Sequence, residues 1–145
     1  MTAKVADLLN QKSSFDLVTA APNQSIDSVA KLLAQHRIGA VPVTDGQGRL
    51  IGIISERDII RGMSQHGDAV LALPVEHLMT REVRTCTPEE PIVELMEIMT
   101  NRRIRHLPVV QNGVLQGIVS IGDVVKQRLS EAQFELEQLR KYISS

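Results

Sequence analysis

A serine followed three residues later by an aspartate occurs twice in this sequence, each time after a Gly-Ile-Ile or Gly-Ile-Val run. The two motifs are Ser55-x-x-Asp58 and Ser120-x-x-Asp123. One interpretation is a capping box, in which hydroxyl and carboxylate bind free backbone N–H groups at the start of a helix. The other is a ligand site, because a strand-to-helix turn gathers a hydroxyl, a carboxylate and free N–H groups at one sheet edge. There the carboxylate would accept both hydroxyls of a ribose, and the serine would face a phosphate.

A basic cluster precedes the second motif. Arg102, Arg103 and Arg105 crowd the end of a predicted helix and the loop before the next strand. Cations at a helix C-terminus complement the helix dipole, so a solvated basic face is one interpretation. The following strand should also bring Arg105 and His106 to the sheet edge that holds Ser120. A guanidinium at that edge could bind a phosphate through two hydrogen bonds.

The corresponding region of the first half is less basic. Arg57, inside the first Ser-x-x-Asp motif, is a further candidate for phosphate binding. Gly39 and Ala40, however, occupy the positions that Arg105 and His106 hold in the second half. We therefore expect that two sites, if both exist, differ in charge and affinity.

These motifs belong to an internal duplication. Pro42 corresponds to Pro108 at an offset of 66 positions, and Asp58 corresponds to Asp123 at an offset of 65. A single deletion in the intervening turn explains the difference. Each copy is too short to be an independent domain, so we expect two small repeats that share one core.

The sequence predicts the order β-α-β-β-α in each copy. Helical periodicity, N-cap serines and turn residues such as Asn112-Gly113 mark the boundaries. In the first copy we expect strands at 16–19, 40–44 and 50–55, with helices at 26–35 and 55–62. In the second we expect strands at 83–86, 107–110 and 114–120, with helices from 92 and at 123–128. A short helical segment at 3–10 has a counterpart at 75–80, and residues 67–74 link the copies.

The end of the chain predicts one continuous helix over 125–143. Apolar residues recur there at alternating spacings of 3 and 4, which is a heptad pattern: Leu129, Ala132, Leu136, Leu139 and Ile143. The pattern runs for only two heptads. The helix either lies on its own domain or crosses to a second subunit.

Composition excludes several classes of protein. A net charge of −1 over 145 residues provides no field that would attract nucleic acid or an anionic membrane. No apolar run approaches the length of a membrane span. The N-terminus has no basic region followed by a hydrophobic stretch, so we expect a cytoplasmic protein.

Catalysis and metal binding find little support. The single Cys86 excludes an internal disulfide and a cysteine-based zinc site, and we expect it to be a buried, inert thiol. The four histidines do not form metal-ligand spacings. No Cys/His pair or Gly-x-Ser-x-Gly pattern indicates a nucleophile. We therefore predict a protein that is not an enzyme and needs no metal.

Taken in order, the duplicated motifs resemble a pair of CBS domains (cystathionine-β-synthase domains), the Bateman module, over roughly residues 3–128. The residues that carry the resemblance are the two x-x-Pro-Val strands and the two Gly-Ile-x-Ser-x-x-Asp endings. The segments 55–58, 103–109 and 120–125 are similar to those of free-standing bacterial and organellar CBS-pair proteins. The resemblance implies an α/β fold of two repeats related by pseudo-two-fold symmetry and packed through their sheets, plus a C-terminal helix. We expect the first repeat at 1–70, the second at 71–128 and the C-terminal helix at 129–145.

The resemblance also implies a function. Such pairs bind adenosine-containing ligands between the repeats and commonly form dimers. The expected ligand is AMP, with ADP, ATP, NAD(H) or S-adenosylmethionine as alternatives, and an unidentified effector protein would receive the signal. A structural dimerisation module that binds nothing is the alternative.

The resemblance assigns a role to each motif position. Asp58 and Asp123 would hold ribose hydroxyls, with Ser55 and Ser120 near phosphate. Thr19 and Thr85 would contact the base edge, and two strand segments would line the adenine pocket. The expected ligand-binding residues are Thr19, Gly39, Ala40, Val41, Ser55, Arg57, Asp58, Thr85, Arg103, Arg105, His106, Leu107, Ser120 and Asp123.

Overall fold

The computed structural model describes residues 3–11 and 17–144. Its helices and strands follow the order that the duplication predicts. They are α1 (Val5–Gln11), α2 (Ile26–His36), β1 (Ala40–Thr44), β2 (Leu50–Ser55), α3 (Glu56–His66), α4 (Ile92–Arg102), β3 (His106–Gln111), β4 (Val114–Ser120) and α5 (Ile121–Ser144). The mixed α/β fold of two repeats and a C-terminal helix is thus confirmed, whereas the boundaries at residues 70 and 128 stay predictions.

The two hairpins are built alike. Strands β1 and β2 pair antiparallel with Pro42 opposite Ile53, and β3 and β4 pair with Pro108 opposite Ile118. Each register also shifts directly after the valine that follows the proline, Val43 in β1 and Val109 in β3. In the second hairpin, Asn112 and Gly113 take φ angles of 54° and 80°, as a two-residue turn of this type requires.

The first predicted strand of each copy is reduced to a single bridge. Ala20 pairs in parallel with Val43, and Cys86 pairs with Val109. Each bridging residue exchanges two backbone hydrogen bonds with its hairpin, at 3.0 Å for Ala20 and at 3.0 and 2.9 Å for Cys86. The predicted strands at 16–19 and 83–86 were therefore wrong in extent, and Asp16 lies outside the described residues. Within residues 3–11 and 17–144, each sheet has two strands.

Each repeat has its own apolar core. The first is formed around Ile26, Val29 and Val43, and the second around Ile92, Leu95 and Val109. The segment predicted as a linker is part of the first core, because the 3₁₀ helix Gly67–Ala72 fully buries Val70. The expected single shared core was therefore wrong: the described residues form two cores, one in each repeat, and the connecting segment packs into the first.

Helix α1 packs against the second repeat although it precedes the first in the chain. Val5 and Leu8 belong to the second core, and the Val5 N–H donates to the carbonyl of Glu90 at 2.9 Å. In return, the Ile92 N–H donates to the carbonyl of Ala3 at 3.0 Å. The second core is thus completed by α1, which precedes the first repeat in the sequence.

Helix α5 runs for 24 residues, which confirms the predicted continuous helix. Its first turns pack against α4, α1 and β4. Beyond them the side chains are exposed: Leu129 by 59%, Leu139 by 58% and Ile143 by 80%. Of the two alternatives for this helix, packing on its own domain holds only for the N-terminal part, and the crossing to a second subunit stays a prediction. None of the described helices combines the length and apolar character that a membrane span requires.

Candidate functional site

A cavity of about 1110 Å³ opens between the two repeats. Its walls come from the end of α2, the start of β1 and the β2–α3 turn on one side. The end of α4 and the turns that flank β3 and β4 form the other side. Both Ser-x-x-Asp turns therefore meet this region of the molecule, as the duplication predicts.

Asp58 is the central acidic group of this cavity. Its side chain is 8% exposed. One carboxylate oxygen, Oδ2, accepts hydrogen bonds from the Ser55 N–H at 2.9 Å and the Ser55 hydroxyl at 3.0 Å. The other, Oδ1, accepts a longer hydrogen bond from the Thr80 hydroxyl at 3.4 Å and lies 3.7 Å from Arg61 Nη1. A carboxylate oxygen has two lone pairs, so Oδ1 retains the capacity to accept a stronger donor.

Both Ser-x-x-Asp motifs form helix caps. The Asp58 N–H donates to Ser55 Oγ at 3.3 Å, which completes a capping box at α3. In the second repeat, the Ser120 N–H donates to Asp123 Oδ2 at 2.9 Å and the Asp123 N–H donates to Ser120 Oγ at 3.2 Å. The capping interpretation is confirmed at both positions. It does not exclude a ligand, because Asp58 and Ser120 also line the cavity.

The cavity is strongly basic. Three acidic side chains line it: Glu56, Asp58 and Glu82. The arginines that line it are Arg37, Arg57, Arg61, Arg84, Arg102, Arg103 and Arg105. Cationic groups thus outnumber acidic ones by more than two to one, and low-dielectric walls focus such a field on an anion inside.

Two of these arginines have an unusual backbone conformation. Arg37 ends α2 and Arg103 ends α4, each in the left-handed region with a φ of 55°. The conformation costs a residue with a Cβ atom roughly 1–2 kcal/mol. The positions correspond in the two repeats, so each copy places one left-handed arginine at the cavity, on opposite sides of it. A left-handed residue commonly ends an α-helix, so both arginines are helix C-caps that also line the cavity.

The repeats differ at Gly39 and at its counterpart Arg105, which both line the cavity. Gly39 faces His106, and a Cβ atom added to Gly39 would lie 3.3 Å from His106 Cε1. The Gly39 carbonyl accepts from the Glu56 N–H at 2.9 Å, and the Arg105 carbonyl accepts from the Ile121 N–H at 2.8 Å. The same backbone bond thus holds each loop to its helix, while the missing side chain of Gly39 makes room for the imidazole.

Of the fourteen residues predicted for the site, the structure brings nine to the cavity. They are Gly39, Ala40, Ser55, Arg57, Asp58, Arg103, Arg105, His106 and Ser120. The prediction that Gly39 and Ala40 leave the first copy poorly equipped did not anticipate that arginines of the second repeat reach the same cavity.

The other five predicted residues lie elsewhere. Val41 and Leu107 are fully buried in the two cores, because side chains alternate along a strand and their neighbours face the cavity. Thr85 lines a separate cavity of about 410 Å³ beside the hairpin turns. Thr19 is exposed and, although within the described part of the chain, lines neither cavity. Asp123 is partly buried behind Ser120.

The segment between the repeats also contributes to the cavity, which no sequence motif predicted. Thr80, Glu82, Val83 and Arg84 line the cavity, because Thr80 pairs with Ile53 of β2 through backbone hydrogen bonds of 2.8 and 2.9 Å. This pairing joins residues distant in the chain, and nothing in the local sequence indicates it.

Two further features bear on chemistry. Burial of the Cys86 thiol raises its pKa to about 12, and the nearby Glu90 carboxylate adds to the rise. A thiol with such a pKa is protonated at neutral pH and a poor nucleophile, so the expected buried thiol is confirmed. Within residues 3–11 and 17–144, no group of three or more His, Cys, Asp or Glu side chains is arranged to hold a metal ion.

Comparison with known proteins places this fold and cavity in context. In Bacillus subtilis, CBS domain-containing protein YhcV is 36% identical over 115 residues, which cover 79% of this chain and 80% of that protein. A crystal structure of the CBS-domain containing protein ATU1752 from Agrobacterium tumefaciens is 47% identical. It has a TM-score of 0.82 and covers 88% of this chain and 95% of that one.

A third similar structure contains ligands. It is the CBS domain pair of protein MJ0100 in complex with 5′-methylthioadenosine and S-adenosyl-L-methionine. The two chains are 31% identical with a TM-score of 0.79, over 90% of this chain and 99% of that one. The family model for the CBS domain matches residues 5–65 and again residues 75–130. These matches, together with the two hairpins and the cavity between them, show that the chain belongs to the CBS domain family and carries a tandem pair of these domains.

Proposed function

We propose that the cavity between the repeats binds an adenine nucleotide, and that AMP is its principal ligand. The observation that carries the proposal is the buried Asp58 carboxylate, held at the wall of a cavity that arginines dominate. A nucleotide has the complementary parts: ribose hydroxyls donate to the carboxylate, and phosphate accepts from guanidinium groups. The adenosine compounds bound by the MJ0100 pair support the nucleoside part of this assignment.

The charge of the cavity favours phosphorylated ligands. S-adenosylmethionine carries a sulfonium cation, and methylthioadenosine has no phosphate. Among seven arginines neither compound would be matched as well as AMP, ADP, ATP or NAD(H). Arg57, the Ser55 hydroxyl and the α3 N-terminus provide phosphate contacts, while Asp58 holds the ribose. Ile53 and Val83, which also line the cavity, offer apolar contact to the base.

The proposed output is regulatory. The chain acts as a homodimer, and the nucleotide biases the dimer between two geometries that an effector protein distinguishes. A ligand shifts such an equilibrium only by its difference in affinity for the two states.

Calorimetric titration with AMP, ADP, ATP, NAD, NADH and S-adenosylmethionine tests the proposal. Asp58→Asn keeps the shape of the side chain but removes the charge that accepts the ribose hydroxyls. Loss of a charged hydrogen bond costs about 1.5–3 kcal/mol, so the Kd for AMP should rise roughly tenfold to a hundredfold. Asp123→Asn is the matched control, because Asp123 occupies the same cap position but does not line the cavity. Its Kd should remain that of wild type.

A structural module that binds nothing is the second candidate, and the completed caps at both motifs favour it. Saturating AMP should raise the stability of a binding protein by about 2.7 kcal/mol at 100 times the Kd. No heat and no thermal shift with any compound would establish the structural module. Equal weakening by the two substitutions would contradict the role assigned to Asp58.

A further inference from the structure

Helix α5 carries an apolar seam that nothing in the described chain covers. The seam is defined by Val125, Leu129, Ala132, Leu136, Leu139 and Ile143, at successive spacings of 4, 3, 4, 3 and 4. This is the a/d pattern of a two-stranded coiled coil. Val125 is 39% exposed and Ile143 is 80% exposed. The seam therefore begins on the folded body and continues along the projecting part of the helix.

Charged residues beside the seam favour a second copy of this chain, in parallel orientation, as its partner. With Leu129, Leu136 and Ile143 at a positions, Glu135 occupies a g position and Arg140 occupies the e position of the next heptad. In a parallel coiled coil of two identical chains, g of one helix faces this e of the other, so each Glu135 meets an Arg140 of the second copy. An antiparallel arrangement would instead place g beside g and e beside e. The complementary pair would then be lost.

The helix is already formed before any second copy arrives. Two and a half heptads are marginal for a free peptide, because the first helical turn is costly to nucleate. Here Val124 is fully buried at the start of α5. Where the helix leaves the body, Arg128 Nη1 bonds Glu131 Oε2 at 2.8 Å and Gln127 Nε2 bonds Glu131 Oε1 at 3.4 Å. Packing against the second repeat thus nucleates the helix. When two copies associate, the seam is buried without the cost of forming the helix.

We propose that α5 forms a parallel two-stranded coiled coil with α5 of a second copy of this chain. The arrangement aligns the two CBS pairs side by side with their projecting helices in register. None of the seam residues lines the cavity, so the seam can be altered without removing a nucleotide contact.

Cysteine cross-linking in the full chain tests the orientation. Ala132→Cys and Leu139→Cys place a thiol at two d positions, where a parallel pair brings identical residues together. Gln138→Cys places a thiol at an outward c position as the control. Under mild oxidation, both d variants should become disulfide-linked dimers on a non-reducing gel, while Gln138→Cys stays mainly monomeric. The buried Cys86 thiol should not contribute.

Charge reversal provides a second measurement that does not depend on oxidation. Glu135→Arg should raise the dimer dissociation constant measured by sedimentation equilibrium, and adding Arg140→Glu should restore it. Cross-linking at one d position alone would indicate an antiparallel pair and overturn the proposal. Equal cross-linking at all three positions, a monomer, or a dimer with neither d position linked would also overturn it. The same variants should still bind AMP, with a Kd changed only by the coupling between the cavity and the dimer. Loss of the dimer with AMP binding retained would therefore separate failure of the seam from failure of nucleotide binding.

Discussion

Single residues in this site have two roles at once. Asp58 caps α3 through Oδ2 and presents Oδ1 to the cavity. Removing a cap costs typically about 1 kcal/mol, so Asp58→Ala would confuse lost stability with lost binding. Asparagine keeps a capping oxygen, which is why it is the sharper substitution. The same division explains why a motif that is common at helix starts also marks a candidate ligand site here.

Gly39 controls the room available to His106. In Gly39→Ala the new Cβ atom would lie 3.3 Å from His106 Cε1, so the imidazole must yield by a few tenths of an ångström. Gly39→Leu should fill this part of the cavity and weaken AMP binding roughly tenfold or more, as expected for about 1–3 kcal/mol of overpacking. Calorimetry on the two variants should therefore give a graded loss.

The double variant Gly39→Leu/His106→Ala is the matched test of this contact. Removing the imidazole returns the space, so affinity should recover in part and the coupling between the two substitutions should be non-additive. Additive losses would mean that Gly39 acts independently of His106. A Gly39→Leu chain that binds AMP as wild type does would contradict the placement of the ligand.

Within helix α3, close packing decides whether replacing a glycine by alanine stabilises or destabilises the protein. Alanine is ordinarily more favourable than glycine within a helix by about 1 kcal/mol. At Gly62, however, a Cβ atom would lie 2.7 Å from Leu78 Cδ1 and 2.9 Å from Val70 Cγ2. Val70 is fully buried and β-branched, so it cannot move aside easily. Gly62→Ala should therefore lower the free energy of unfolding by about 1–2 kcal/mol, since overpacking outweighs propensity.

Urea denaturation measures this change, with Gly46→Ala as the control. A Cβ atom at Gly46 would meet nothing within 4 Å, and the alanine should leave stability unchanged or raise it by less than about 1 kcal/mol. A Gly62→Ala chain more stable than wild type would show that α3 shifts away from the 3₁₀ helix Gly67–Ala72.

Local signals in the sequence predicted the elements well, and distant pairings limited the prediction of the site. Both hairpins, the α2 cap at Ser25 and the capping boxes depend on residues a few positions apart, so their sequence patterns are visible. The predicted first strands at 16–19 and 83–86 were wrong in extent, because in each copy this segment pairs with its hairpin through a single bridge.

The residues that line the cavity could not all be predicted from local sequence patterns. Thr80 reaches it by pairing with Ile53 of β2, and Val41 points away from it through strand alternation. The duplication correctly indicated which turns come together. It carried no information on which of two equivalent aspartates would line the cavity, because that depends on the packing between the repeats.

For the whole molecule, the placement of α1 makes the second repeat dependent on the N-terminal segment. Leu8 is 3% exposed in the second core, and the end of Leu9 packs against Gly117, where a Cβ atom would be only 2.7 Å away. Leu8→Ala leaves a cavity in that core and should lower the free energy of unfolding by about 2–5 kcal/mol. Thermal and urea denaturation measure the loss.

Leu17→Ala is the matched control for this prediction. Leu17 is 41% exposed, and exposed substitutions usually change stability by less than about 0.5 kcal/mol. If Leu8→Ala were as mild as Leu17→Ala, α1 would not be part of the second core in solution.

The length and position of α5 have a mechanical consequence. The helix begins where Ser120 and Ile121 line the cavity, and its 24 residues extend it about 36 Å at the usual rise per residue. The base of the helix therefore lies beside the cavity, and a small tilt there moves the far end of the helix over a larger distance. A tilt of about 5°, less than 1 Å of movement over the first two turns, displaces the far end by about 3 Å. A tilt this small leaves the residues of the cavity nearly in place. It is nevertheless large enough to change which surfaces come into contact at the C-terminal end of α5.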